Sequence, residues 1–403
     1  MRVFTRRAHA SHAVGRRAGA VALLLSTLLA ASACAPDSSS AGGSGASVPS
    51  AHTPSAEPAP APTASPRSRV QEIVTQMDLA QQASAVVMGN TPGADPVAMR
   101  AMMSRGFGGF ILMGSNVPAT PGDLHAMSEA LTIDPALPPL IATDEEGGDV
   151  VRLPWDDQPG ADVLKAQPAG ATRAAFARRG MLLAQSGVTV NFGVVADVAS
   201  SPDSFIYDRS FGTDPAAAAE RVDAAVRGEA SWVSTTLKHF PGHGAAEGDS
   251  HHMIPSTGMD LETWRSEVAP PFLAGIRAGA PIVMMGHLAY TAVDAQPASL
   301  SPRWHQILRD DLGFRGVIVT DDLDMLVDSG DPAYADEVSD AVQAVVAGSD
   351  LVLALDGAGP DTAQKIADGL VAAVRSGALP ADRLREAASR VVALRLDIAD
   401  RRH

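Results

Sequence analysis

Asp249 and His251 stand two residues apart in the stretch Leu237 to Pro255, LKHFPGHGAAEGDSHHMIP, which holds four of the eleven histidines and one of three lysines. At that spacing on a loop, a carboxylate can hydrogen-bond an imidazole, fix its tautomer and keep its proton near working pH, which is what a general acid or base requires. A second chemistry is open to the same stretch. His239, His243, Asp249, His251 and His252 are residue types that bind zinc and its neighbours. Their spacing matches neither HExxH nor paired CxxC, so metal binding is the weaker reading. A solvated polar loop without a role is the third.

Two further groups of residues bear on the choice. Gly316 to Met325, GVIVTDDLDM, runs from apolar residues into three carboxylates, and Asp321, the first of them, is best placed to project from the end of a strand. Asp144 and Arg152 lie in one segment and Asp208 with Arg209 in another; such pairs bind neighbouring hydroxyls through charge-assisted hydrogen bonds, as a sugar needs. A fixed carboxylate, a His/Asp pair and hydroxyl-binding groups together are equipment for cleaving a glycosidic bond. One group attacks the anomeric carbon and another protonates the leaving oxygen.

These residues need elements to position them. Short apolar runs flanked by turn residues occur at Ala85 to Gly89, Gly109 to Met113, Leu140 to Thr143 and Val188 to Ala196. Four more follow at Val233 to Leu237, Pro281 to Met285, Val317 to Thr320 and Asp350 to Leu355. Alanine-rich amphipathic segments separate most of them, among them Ala216 to Glu229, Glu262 to Ala278 and Tyr334 to Ala347. Continuous apolar strands alternating with helices predict a parallel sheet covered on both faces. Eight such units predict an α/β fold, a single (β/α)8 barrel of the TIM type; a doubly wound open sheet is the alternative, weakened because no GxGxxG follows the first strand. The residues at the strand exits are Asn90, Asn116, Asp144, Asp197, Lys238 with His239, His287, Asp321 and Asp356, and all are expected to point into one barrel mouth.

The first 33 residues carry five arginines, no acid and an apolar run from Ala18 to Ala33, the pattern of a secretory signal. Ala31, Ser32 and Ala33 precede Cys34, the only cysteine, and resemble the lipobox of bacterial lipoproteins, in which that cysteine is lipidated. With one cysteine the chain can form no internal disulfide. Residues 34–67 are Ser, Ala, Gly, Pro and Thr with few large apolar groups and are expected to be a disordered tether to a domain at 68–403. Removal of the signal would leave 26 basic against 46 acidic residues, about −20, which argues against nucleic acid as a partner and against adhesion to anionic lipid. The expectation is an exported monomer held to the outer face of the cell membrane by its lipid alone.

KHFPGHG at Lys238 to Gly244, DSH at Asp249 to His251, TDEEGG at Thr143 to Gly148, DRSFG at Asp208 to Gly212 and VTDDLDM at Val319 to Met325 together resemble the single-domain bacterial β-N-acetylglucosaminidases of glycoside hydrolase family 3. The resemblance implies Asp321 as nucleophile, His251 as general acid/base with Asp249 as its partner, and Asp144, Arg152, Arg209, Lys238 and His239 around the N-acetylglucosamine ring. It implies a retaining exo-hydrolase acting on peptidoglycan fragments, with no metal and no cofactor. Asp149 stands where many members have arginine. A phosphorylase on the same scaffold and a catalytically silent sugar-binding lipoprotein are the alternatives.

Overall fold

The computed structural model describes residues 66–355 and 361–401. The signal-like segment, Cys34, the tether up to residue 65 and Asp356 lie outside the described residues. Pro66 already opens a helix, Pro66–Gln76, two positions before the expected start of the domain.

Eight parallel strands close into a barrel: β1 (Val87–Gly89), β2 (Gly109–Leu112), β3 (Leu140–Thr143), β4 (Val190–Val195), β5 (Ser234–Phe240), β6 (Ile282–Met285), β7 (Val317–Asp322) and β8 (Leu351–Ala354). Val87 of β1 pairs with Val352 of β8, which completes the circle. The expected (β/α)8 architecture is the one observed. Each expected strand overlaps an observed one because a buried parallel strand must be apolar on both faces. Met88, Ile111, Leu140, Ala142, Val190, Phe192, Ile282, Met284, Val317, Val319, Leu351 and Leu353 form one interior cluster, and their neighbours along the strands pack outward against the helices. The two-residue period of a strand produces that division.

The helices begin where the sequence supplies caps. Asp78, Asp95, Asp214, Asp260 and Asp336 each accept a backbone N–H of the first turn, and satisfying those orphan donors fixes the helix start. Two expected helices are corrected by this chemistry. The segment expected as one helix over Glu262 to Ala278 is two, Leu261–Glu267 and Ala269–Ala278, because Pro270 and Pro271 fit only a first turn. The helix expected from Tyr334 starts at Glu337, after a separate turn at Pro332–Tyr334.

The last helix, Ala381–Arg401, contributes Val391, Leu394 and Ile398 to the interior cluster and so closes the end of the barrel opposite the mouth. Asp350, fully buried just before β8, ties that end together. It accepts Arg383 at 2.6 Å, Arg390 at 3.0 Å, the Ile318 N–H at 3.0 Å, and also Arg309. Asp350→Ala leaves three guanidinium groups without their shared anion, and removal of one partner of a buried ion pair destabilises by about 3–5 kcal/mol. Urea unfolding of this variant should show that loss; a midpoint equal to wild type would mean the arginines find water instead.

Candidate active site

At the mouth of the barrel lies a cleft of about 190 Å³ lined by Asp144, Glu146, Arg152, Arg209, Lys238, His239, His243, Ser250, His251, Asp321 and Asp322, among others. Two strands bring their functional residues in by irregularity. Against β6, the register of β5 slips between Leu237 and Phe240, and Lys238 and His239, which are adjacent, both reach the cleft. Between β7 and β8 the register slips likewise, so Asp321 and Asp322 both line it. A bulge re-aims side chains that strict alternation would send to opposite faces. Lys238, His239 and Asp321, expected just past the strand ends, belong to the strands themselves, as does Asp322. The Lys238–His239 and Phe240–Pro241 peptide bonds are cis.

The cationic part of the cleft is built around Lys238. Its buried ammonium meets Asp144 Oδ1 at 2.6 Å and Glu146 Oε1 at 2.7 Å. Glu146 also receives Arg209 through both its oxygens, at 2.7 and 3.0 Å. Burial alone would push Glu146 up, but Lys238 and Arg209 overcome it and hold the carboxyl down at about 2. Burial likewise opposes the charge of Lys238, and Asp144 with Glu146 raises its pKa above the ordinary value. Arg152 also reaches the cleft, and its buried Nε has no partner among the described residues.

Asp197, fully buried past β4, serves the next layer. It takes His239 Nδ1 at 2.7 Å and the His243 N–H at 2.6 Å, which orients one imidazole and anchors the start of the following loop. Gly244 is needed there, since a Cβ would sit 1.9 Å from the Val198 carbonyl oxygen. His243 Nε2 lies 3.0 Å from Ser250 Oγ, tying the loop's two ends, and burial then the nearby His239 lower its pKa to about 4. On either side of Ser250, Asp249 Oδ1 lies 2.6 Å from His251 Nδ1 and also accepts the His251 N–H at 3.0 Å. Burial works against the Asp249 anion, and the His251 hydrogen bonds outweigh it, so its pKa is lowered. His251 is exposed at the rim of the cleft, while Glu247, His252 and Asp149 are exposed outside it.

Asp321 accepts only the N–H of its neighbour Asp322, at 2.9 Å, among the described residues. Burial disfavours its charge, but His239, His287 and Lys238 prevail and keep its pKa below the usual carboxylate value. Asp322 is the opposite case, pushed up to about 7 by burial and by Asp321. Two adjacent carboxyls are thus driven apart, one ionised and one carrying a proton near neutrality.

The structure gathers Asp144, Arg152, Arg209, Lys238, His239, His251 and Asp321 around one cleft, with Asp249 behind His251. Among the described residues no three His, Cys, Asp or Glu side chains are arranged to hold a metal ion. The expectation that all exit residues point into the mouth fails for four of them. Asn116 satisfies the backbone of Ile111 and Met113, Asp197 orients His239, and His287 spans Ser299 Oγ and the Asp322 carbonyl oxygen. Asn90 lines a separate hollow of about 250 Å³. The polar groups of Asn116, Asp197 and His287 are spent on backbone and neighbours. Glu146 and Ser250 are not singled out by the sequence, and His243 is singled out there only as a possible metal ligand. The motifs contained them, but a run of three acids does not say which one turns inward.

A (β/α)8 barrel whose mouth holds a carboxylate with a lowered pKa at a strand end, buried cations and a His–Asp pair carries the equipment of a glycoside hydrolase. Residues 71–394 match the glycosyl hydrolase family 3 N terminal domain, and the chain belongs to that family. A β-hexosaminidase of Xylella fastidiosa strain M23 is 38% identical over 229 residues, 54% of this chain and 68% of the relative. The structure of a family 3 β-N-acetylglucosaminidase from Paenibacillus sp. str. FPU-7 superposes with a TM-score of 0.74 at 32% identity, covering 80% of this chain and 63% of that one. This chain thus spans less than two thirds of the Paenibacillus protein. A β-N-acetylhexosaminidase of Beutenbergia cavernae DSM 12333 gives 0.71 at 29% identity, covering 79% of this chain and 99% of that one.

The protonation pattern sets a pH dependence of stability. Burial is the leading cause that raises Glu145 to about 8, Glu337 to about 8, and Glu229, Asp322 and Asp340 to about 7. The folded chain therefore keeps protons that the unfolded chain has already released, so the stability these groups contribute is complete at low pH and is lost as pH rises through 7 to 8. His243 and His305, lowered to about 4 by burial, act in the other direction, but only up to the unfolded imidazole value of about 6.5. Between about pH 6.5 and 8 the carboxyls alone set the slope. The melting temperature should fall steadily across that window in thermal scans, and a flat or rising profile would contradict the assignment.

Proposed function

We propose that this protein is a retaining exo-β-N-acetylglucosaminidase that removes terminal N-acetylglucosamine from peptidoglycan fragments. The observation that carries the reading is the pairing of an ionised, almost unpartnered Asp321 at the cleft floor with His251 at its rim. The names of the Xylella, Paenibacillus and Beutenbergia relatives support the sugar. Asp144, Lys238, Arg209, His239 and Arg152 offer both donors and acceptors to the ring hydroxyls and the acetamido group, a demand that a mixed-charge wall meets better than one of a single sign.

In the first step an Asp321 oxygen attacks the anomeric carbon while His251 gives its Nε2 proton to the departing oxygen; Asp249 holds Nδ1–H and stabilises the imidazolium beforehand. In the second, His251 takes a proton from water, which attacks the same carbon and frees Asp321. Configuration is retained because two inversions occur at one centre. An imidazole in place of a second carboxylate would also repel an incoming phosphate less, so product analysis with and without phosphate separates hydrolysis from phosphorolysis.

Asp321→Asn should lose on the order of 10³-fold or more in kcat with its fold intact, because the amide cannot form the glycosyl-enzyme. Near-normal turnover there, with Asp322→Asn inactive, would move the nucleophile by one residue. His251→Ala should lose roughly ten times more activity on a disaccharide than on a nitrophenyl glycoside, since only the sugar alkoxide needs a proton to leave. Equal losses on both substrates would remove His251 from the acid/base role.

We also propose that the chain is exported and held to the outer face of the membrane through an acylated Cys34, the small residues before it being the support. More than one acyl chain is needed for stable anchoring. Cys34→Ser should move the protein from the membrane to the soluble fraction; unchanged sedimentation with membranes would refute the anchor.

A further inference from the structure

The sequence TDEEGG offers three consecutive acids, of which Asp144 and Glu146 enter the cleft and Glu145 turns the other way. Glu145 is fully buried, and its Oε2 accepts the backbone N–H of Arg152 and of Leu153, each at 3.0 Å. It thereby closes the loop that leaves β3, folds back at the Gly147–Val150 bridge and returns Arg152 to the cleft. Its own backbone is gripped by Asn191 of β4, whose side chain both receives the Glu145 N–H and donates to the Glu145 carbonyl oxygen, each at 3.0 Å. Among the described residues no other side chain meets the Arg152 or Leu153 N–H, so the carboxyl is the link between the barrel wall and the place where Arg152 enters the site. Arg152 arrives with a buried Nε that no described residue satisfies.

We propose that Glu145 is a positioning residue that sets substrate affinity, by fixing the loop from which Arg152 meets the sugar. The inference rests on the reading of Arg152 as a substrate-binding group. Two N–H donors converge on Oε2 while Oε1 has no partner among the described residues, so a proton carried by this group resides on Oε1. The charged groups around it are Arg179 of the helix Ala169–Gln185, Asp156 of the adjoining loop and, through Asn191, Glu229 of the helix Pro215–Glu229. Burial pushes Glu145 up to about 8, against the two N–H donors and Arg179, with Asp156 adding to the rise. Above that pH the group is an anion whose buried Oε1 has no hydrogen bond among the described residues, and the surroundings must open to hydrate it. The loop then loosens and Arg152 with it.

The test uses the purified enzyme with p-nitrophenyl N-acetyl-β-glucosaminide and the variants Glu145→Gln, Glu145→Ala and Arg152→Ala. The glutamine carbonyl can still accept both N–H groups, so at pH 6 this variant should keep KM within about threefold of wild type, whereas the alanine variant should raise KM about tenfold with a much smaller change in kcat. Wild-type KM should rise above pH 8, and Glu145→Gln should lack that rise even if the alanine variant does not fold. An alkaline KM limb shared by wild type and Glu145→Gln would overturn the proposal, as would a folded Glu145→Ala with normal KM beside an Arg152→Ala whose KM is raised. If Arg152→Ala itself leaves KM unchanged, the reading of Arg152 fails, and the proposal with it.

Discussion

The mouth of this barrel is organised by one requirement: the Lys238 ammonium is buried and must be neutralised. Asp144 and Glu146 do so at 2.6 and 2.7 Å, and Arg209 shares Glu146. A buried charge without a partner is prohibitively unfavourable, so each member constrains the others. Because Asp144 and Glu146 come from the β3 exit, Lys238 from β5 and Arg209 from the loop after β4, the ion network locks three adjacent units of the barrel into one register. The cleft and the fold are held by the same contacts.

Around that network, side chains that never touch the cleft hold those that do. Asp197 orients His239 and anchors the loop at His243, and His287 is fixed by Ser299 while it grips the backbone at Asp322. This division keeps the reacting groups in place without filling the cleft, which is how a site remains both preorganised and open. The His251–Asp249 pair differs from the rest. Its imidazole is exposed and its carboxylate half-buried, and the two flank Ser250, which His243 holds.

The protonated carboxyls point to the other side of the design. Asp322 at the end of β7 and Glu337 and Asp340 on the helix Glu337–Ala347 are each raised by burial and by neighbouring acids. Where Lys238 and Arg209 bond to it, Glu146 is an anion; at Asp322, Glu337 and Asp340, where no cation forms an ion pair among the described residues, burial leaves the proton on. Arg309, Arg383 and Arg390 show the reverse extreme, three cations converging on Asp350 at the closed end of the barrel.

The barrel itself was legible in the sequence, because buried parallel strands must be continuously apolar, and Leu140–Thr143 was bounded to the residue. The helix caps were equally local, being set by single side chains such as Asp214 and Asp336. Local too were the motifs that carry the family resemblance, since adjacent chemistry such as Asp249 with His251 needs only a loop to form. What the chain alone could not decide was direction. Whether Glu145 or Glu146 faces the cleft depends on Asn191, 46 positions away, and whether Lys238 and His239 both enter depends on a register slip against β6. A linear pattern carries no term for a bulge between two strands or for a buried cation drawn to one acid of three. The sequence determined which groups were available, and the tertiary structure decided which way each of them turned, because only packing across the barrel fixes which charges are buried together.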